Sequence, residues 1–589
     1  MQDLKKSWLS YWKPILFVLT PLIWTPIFLW QVDGKPEIPK VTYVILIMAT
    51  YWVTEVIPLQ VTSLMPLFMF PMLLVTPAKT VAKAYLSDST WLFVGGLMIA
   101  VMVEEVNLHR RIALNILNVS GSTPGRLMFG VTCASSFLSM FISNTATTAM
   151  MMPVVMSLAG PYDRCELIRV RRSVRKVVPQ ETNGAVRMQE FDDIKKSGPV
   201  EANDGDDTIE GAIDSQDVID MSKPTSLAKD ELNMTKALLI AVAYSASLGG
   251  TATLTGTLPN VVMKGLLDQA YGTSHPITYG TWMGYNFPGM IINLAILNMW
   301  LQLVWFGPSE WLRTFNCCCK AGDQHSREEA KAVNEVLKGE LAKLGRIRFA
   351  EISVLCWYGV ALICWFTREF PDGGGWGSLF VDAKGESYMS DATVIIIAVV
   401  VLFAWPRSLD RPYRPLISWY RCRVKLPWGV VILLGGGFAI AGAVKSSGLS
   451  VLIADQLAKL DVSDAVLVFI SLFLMTHLTE FTSNTATSQI VLPITMKLAE
   501  KRCINPLYLT MPVSEAASFA YMLPVATPPN AIIFGSGVLR VVDLIMCGFV
   551  MNFVCMGEVM LSIHTWGWHM FDIAHYPAWA ANVTACANV

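Results

Sequence analysis

Three stretches of this chain, Pro14 to Trp30, Thr281 to Phe306 and Val541 to His564, carry few or no charges, and at about 18 residues or more each is long enough to cross a hydrocarbon core about 30 Å thick. That feature makes the chain a polytopic membrane protein, all-α in class. Of 589 residues, 53% are hydrophobic and 15% charged, where ordinary soluble domains carry about 25% charged residues. A small soluble enzyme and a disordered regulator are thereby excluded. The formal net charge of -1 offers no basic field to a nucleic-acid backbone, so no nucleic-acid partner is expected. Tryptophans such as Trp52, Trp91, Trp300 and Trp428 stand near the ends of apolar runs, where their rings suit the headgroup level.

The chain also repeats itself. WLFVGGLMIA (Trp91 to Ala100), FISNTATTAMMMP (Phe141 to Pro153) and GTATLTGTLPN (Gly250 to Asn260) recur in the same order as WGVVILLGGGFAIA (Trp428 to Ala441), EFTSNTATSQIVLP (Glu480 to Pro493) and YMLPVATPPN (Tyr521 to Asn530). Gly96 and Gly437 lie 341 residues apart, and Asn144 and Asn484 lie 340 apart. Duplicated hydrophobic segments with such interruptions point to a transporter whose site lies between the repeats. Residues 1–13, with Lys5, Lys6 and Lys13, read as a cytoplasmic N-tail, and 14–160 as the first part of the first membrane repeat. An acidic stretch at 161–230 reads as a mobile cytoplasmic insert, because it lacks the apolar content that would offset its ordering. The first repeat resumes over 231–306, and 350–571 forms the second. Between them, 307–349 reads as a cytoplasmic connector in which Val333, Leu337, Leu341 and Leu344 recur at helical spacing, the pattern of an amphipathic helix.

Ser143-Asn144-Thr145 and Ser483-Asn484-Thr485 sit in apolar surroundings ahead of helix-forming runs. A Ser-Asn-Thr triplet there supplies a capping side chain and leaves backbone N–H groups pointing forward, so two such starts can present two positive dipole ends to one anion. Thr255 to Asn260 and Thr527 to Asn530 place Gly or Pro inside hydrophobic sequence, which interrupts the helical ladder and frees carbonyls. Hydroxyl, amide and carbonyl oxygens are the hard ligands of an alkali cation. The pattern therefore predicts two cation cages, one per repeat, each built from a triplet and its partner loop. From 131 to 160 there is no Lys, Arg, Asp or Glu, so bound cations and helix ends are what compensates an anion there, and cation–anion symport follows. Glu480 reads either as a proton site or as an interfacial cap. Neither a GxSxG elbow nor a GxGxxG loop nor a His-rich metal spacing is present, so an enzyme and a resident cofactor are not expected.

These paired triplets, together with NLHRRIAL (Asn107 to Leu114), ATYWVTEVIPLQVTSLMP (Ala49 to Pro66), GTATLTGT (Gly250 to Thr257) and VATPPN (Val525 to Asn530), resemble the divalent anion/sodium symporter family, in its animal di- and tricarboxylate branch. The resemblance implies about 11 transmembrane helices with inverted repeats and re-entrant helical hairpins, in a homodimeric elevator-type transporter. It implies sodium symport of succinate, malate, fumarate, alpha-ketoglutarate or citrate across the plasma membrane, with an inorganic oxyanion such as sulfate, or sodium-independent carboxylate exchange, as alternatives. By the same resemblance, Asn144, Thr145, Asn484 and Thr485 contact the substrate carboxylate. One sodium ion falls to Ser143, Asn144, Gly249, Thr253, Gly256 and Pro259, another to Ser483, Asn484, Thr487, Ala526, Thr527 and Asn530. An odd span count implies a cytoplasmic N-terminus and an extracellular tail at 572–589, with Asn582 as a glycosylation site. Leu258 departs from the family pattern, where a smaller residue is usual.

Overall fold

The computed structural model describes residues 2–30, 32, 35–159, 233–272, 274–308, 324–369, 374–382, 387–410, 412–459 and 461–581. The insert expected at 161–230 and the glycosylation site expected at Asn582 lie outside them. Helix dominates: two isolated bridges, Val381 with Ser387 and Pro406 with Pro415, are the only β pairing among the described residues.

The sequence repeat is a repeat of helices. In the first half, Asp88–Glu105, Leu108–Ser120, Pro124–Ser139, 144–159, Asn233–Thr251, Leu258–Tyr271 and Tyr279–Trp305 follow one another; in the second, Trp428–Ser447, Leu449–Ala458, Asp464–Thr479, Asn484–Lys501, Pro506–Ala516, Pro528–Gly535 and Val541–His564 do so in the same order. Each triplet starts at the last residue of a helical hairpin's turn, at 140–143 and 480–483, and runs into the next helix, and each Gly/Pro segment interrupts a helix, at 252–257 and 517–527. Local chemistry sets these boundaries. Proline occupies the first turn of Pro124–Ser139, Leu258–Tyr271, Pro506–Ala516 and Pro528–Gly535, where a helix has no use for the missing N–H. Ser463 accepts the Val466 N–H, and Thr278 forms a reciprocal cap with Thr281.

Six described helices are long and apolar enough to cross a membrane. The hairpin arms and half-helices fall short of that length or apolarity one by one, so length and apolarity together give six where the resemblance implies about eleven. Outward-facing Leu355, Ile363, Val400, Val542 and Phe549 are exposed, an apolar exterior that suits lipid as solvent.

Two apolar clusters hold the interior. The larger runs through both repeats. The smaller joins the N-terminal layer, including Ile38, Val44, Tyr51 and Phe70, to Leu433, Ile440 and Val444 of Trp428–Ser447. Helix Gln324–Leu344 buries Val333 and Leu337 and is clipped to Leu108–Ser120. Arg111 reaches Glu351 and the carbonyls of Leu344, Gly345 and Arg346, while Arg110 pairs with Glu340. The Lys343 hydrogen bond, with Arg110, holds the Glu340 carboxyl below the usual carboxylate range.

Candidate functional site

In the first repeat, close packing assembles the site. Helix Asn233–Thr251 presses its glycine end into the hairpin: a Cβ on Gly249 would enter the Ser136 backbone, and one on Gly250 would stand 2.5 Å from Asn144 Oδ1. Asn144 therefore lies flat on the Gly250 backbone, and Ser139 Oγ donates to its Oδ1 at 2.6 Å. Ser143 caps the next helix by accepting the Ala146 N–H. Thr253 Oγ1 donates to the Met140 carbonyl at 2.5 Å, fastening the break to the hairpin turn. Gly256 folds back so closely that a Cβ there would lie 2.5 Å from the Gly250 carbonyl and 2.9 Å from Thr253 Oγ1. Pro259 is buried at the start of the second half-helix, whereas Thr145 is exposed.

Charge assembles the second. Glu480 ends the helix Asp464–Thr479, is fully buried, and accepts hydrogen bonds from the backbone N–H groups of Tyr521, Met522 and Leu523 at 2.8–3.1 Å and from Asn552 Nδ2 at 2.7 Å. It thus caps its helix from inside the protein, and its partner is the break of its own repeat. Thr487 Oγ1 donates to the Ser483 carbonyl at 3.0 Å and lies 2.5 Å from the Thr482 hydroxyl. Thr485 is buried and Ser483 and Asn484 half-buried; Asn484 accepts Ser488 Oγ on its carbonyl. Ala526 and Thr527 are buried, and Thr527 caps Pro528–Gly535 by accepting the Asn530 N–H at 3.5 Å.

The two breaks share a local design. Thr257 and Thr527 hold nearly the same backbone angles, φ -142°, ψ 150° and φ -140°, ψ 150°. Three residues on, Asn260 Nδ2 reaches back to the carbonyls of Gly250, Thr251 and Thr253, and Asn530 Nδ2 to those of Ala520 and Leu523. Both side chains are fully buried, and in both the amide Oδ1 has no hydrogen-bond partner. Asn484 Oδ1, Thr147 Oγ1 and Thr148 Oγ1 are likewise buried and unmatched. Buried oxygens without donors are costly to leave so, and acceptors are what an alkali cation takes as ligands; the residues present fit sodium.

The breaks also meet. Ser518 Oγ lies 3.5 Å from Thr257 Oγ1, and the Tyr244 hydroxyl donates to the Tyr521 carbonyl at 2.7 Å. Among the described residues, no hydrogen bond joins the two triplets directly. Asn260 enters the sequence reading only as the end of the loop Thr255 to Asn260, and Glu480 only as a proton site or a cap. The register of Pro259-Asn260 with Pro529-Asn530 marks the first, while nothing local marks the second as the tie of a loop some forty residues on.

The residues from 8 to 573 match the family model described as sodium:sulfate symporter transmembrane region. The chain is 37% identical over 599 residues to the Na(+)/citrate cotransporter of Mus musculus, covering 98% of this chain and 99% of that protein. It is 36% identical over 608 residues to Na(+)/dicarboxylate cotransporter 3 of Rattus norvegicus, covering 99% and 96%. With solute carrier family 13 member 2 of Homo sapiens it shares 36% identity over 561 residues, covering 92% and 91%. A family match of that extent and similarity along nearly the whole length lead to one conclusion: the chain belongs to the divalent anion/sodium symporter family.

Proposed function

We propose that this protein is a secondary active symporter that moves di- and tricarboxylates, of the succinate and citrate kind, into the cell with sodium ions. One observation carries the reading. Two interrupted helices, each fastened to a Ser-Asn-Thr hairpin of its own repeat, touch through Ser518 and Thr257 and bury unmatched amide oxygens at Asn260 and Asn530. The relatives named for sodium with citrate or dicarboxylate support the choice of substrate class.

In this reading the first sodium ion sits among Ser143, Asn144, Gly249, Thr253, Gly256 and Pro259, the second among Ser483, Asn484, Thr487, Ala526, Thr527 and Asn530. The substrate carboxylates meet Asn144, Thr145, Asn484 and Thr485 at the helix starts, where N–H groups and dipole ends favour negative charge. Each bound cation raises the affinity for the anion, and by linkage the anion raises the affinity for the cation. If three cations accompany a dianion, one net positive charge enters, and the membrane potential then contributes about 2.3 kcal/mol per 100 mV. The architecture that accompanies this function is a homodimer of about eleven spans with inverted repeats, working as an elevator in the plasma membrane. Its N-terminus is cytoplasmic, its C-tail extracellular and glycosylated at Asn582.

Uptake of radiolabelled succinate and citrate by cells expressing the protein, with external sodium replaced by choline, tests the reading. Loss of uptake in choline is the expected result. Persistent uptake would remove sodium coupling and leave exchange; uptake of labelled sulfate, blocked poorly by succinate, would move the substrate to an inorganic oxyanion.

A further inference from the structure

Helix Asn484–Lys501 of the second hairpin ends in an uncommon way. Cys503 takes the left-handed conformation, φ 53°, and the Ile504 N–H turns back to the Ala499 carbonyl at 3.1 Å, a closure in which glycine or asparagine is the usual occupant. A side chain kept in that conformation points to a use for it. Cys503 has one, for it is disulfide-bonded. The six other described cysteines are free, so its partner lies outside the described residues, among Cys165, Cys317, Cys318, Cys319 and Cys586.

The last described stretch of chain leads to the same corner of the molecule. Asn505 Nδ2 donates to the carbonyls of Phe571 and Asp572 at 3.2 and 3.3 Å. Beyond them Trp579 sets its ring edge to face with Tyr271, 5.0 Å between centroids, and stands 6.4 Å from His275. Ala580 is fully buried. Tyr271 in turn donates its hydroxyl to Glu500 Oε1 at 2.6 Å, three residues before Cys503. Cys586 follows Ala581 by five residues, a span of at most about 18 Å. The other candidates belong elsewhere. Cys165 stands in the 161–230 insert and Cys317 to Cys319 in the 307–349 connector, stretches read as cytoplasmic, where thiols are kept reduced. The connector helix Gln324–Leu344 is held by Arg110 and Arg111, just past the Glu105 end of Asp88–Glu105, whereas Ser89 at the other end of that helix meets Asp268, three residues from Tyr271. About 27 Å of helix separates the two ends.

We propose that Cys503 and Cys586 are joined by a disulfide, which makes the C-terminal segment a covalent strap. It leaves the second repeat at Asn505, crosses the half-helix Leu258–Tyr271 of the first repeat under Trp579, and returns to the second at Cys503. Each thiol gives up a proton and an electron as the S–S bond forms; the acceptor is the disulfide of a secretory-pathway oxidoreductase, which leaves as a dithiol. The inference rests on the reading of the C-tail as extracellular, where such a bond persists.

Peptide mapping of the full-length protein tests it. The chain is alkylated without reduction, stripped of N-glycans, cut with trypsin and chymotrypsin, and read by mass spectrometry. A linked pair of peptides carrying Cys503 and Cys586, lost on reduction, is the expected result. Cys503 joined to any other cysteine, or found alkylated, would overturn the proposal. In Cys586→Ser, alkylation of Cys503 is expected to rise from a trace to nearly complete; no rise would refute the pairing, and if that variant is not recovered folded the map of the unaltered chain decides. A linked pair that a membrane-impermeant phosphine reduces in solubilised protein but not on intact cells would keep the bond and overturn the extracellular tail instead.

Discussion

The two repeats reach the same local shape by different means. The break at 252–257 is held by steric fit, with Gly249 on the Ser136 backbone, Gly250 on the Asn144 amide and one hydroxyl, Thr253, on the Met140 carbonyl. That at 517–527 is longer, and a single carboxylate, Glu480, gathers three successive N–H groups and an amide. Met140 and Glu480 occupy corresponding positions of the two hairpins, 340 residues apart. Where a short loop can be pressed into place, glycine suffices; a longer one, with more backbone donors to satisfy, requires an anion. The first cage should therefore be sensitive to volume and the second to charge.

Substitutions can break that comparison. Glu480→Ala leaves three backbone N–H groups, that of buried Tyr521 among them, and the Asn552 amide without their acceptor, at up to about 1–3 kcal/mol each. Uptake should vanish and thermal stability fall sharply, and Glu480→Gln, which keeps one acceptor oxygen, should recover part of both. Gly249→Ala comes next, with an overpacking cost of about 1–3 kcal/mol and loss of most uptake; normal transport would mean that the tight crossing with Ser136 is not needed. Thr253→Val removes one fastening hydrogen bond, worth about 1 kcal/mol, and should raise the sodium concentration for half-maximal uptake severalfold. If Thr253→Val proved as damaging as Glu480→Ala, the contrast between the repeats would be wrong. The smallest effect is expected for Thr487→Ala, a weaker sodium dependence with the order of preferred carboxylates unchanged, read from sodium titrations at several substrates.

The sequence announces some of this and hides the rest for a physical reason. Repeated strings mark where hairpins turn and helices break, because Ser-Asn-Thr, Gly and Pro act on the backbone within a few residues. The hairpin turns at 140–143 and 480–483 and the breaks at 252–257 and 517–527 lie within or beside those strings. What is not legible depends on distant partners. Thr253 meets Met140 across 113 residues, and Glu480 meets Asn552 across 72. Glu480, read from sequence as a proton site or an interfacial cap, is a fully buried acceptor of backbone N–H groups. Six described helices are long and apolar enough to span, and a helix that turns back or breaks does not present such a run.

One further arrangement bears on how such a protein is made. Leu258–Tyr271 of the first half packs against Asn484–Lys501 of the second, and Pro528–Gly535 of the second packs against Asn233–Thr251 of the first. The halves clasp each other like two hands with fingers laced, the geometry of an arm-exchanged dimer written into a single polypeptide. Each cage draws its residues from one half, while one face of each broken helix is covered by the other half. Two separately expressed halves are accordingly expected to stabilise each other when both are present.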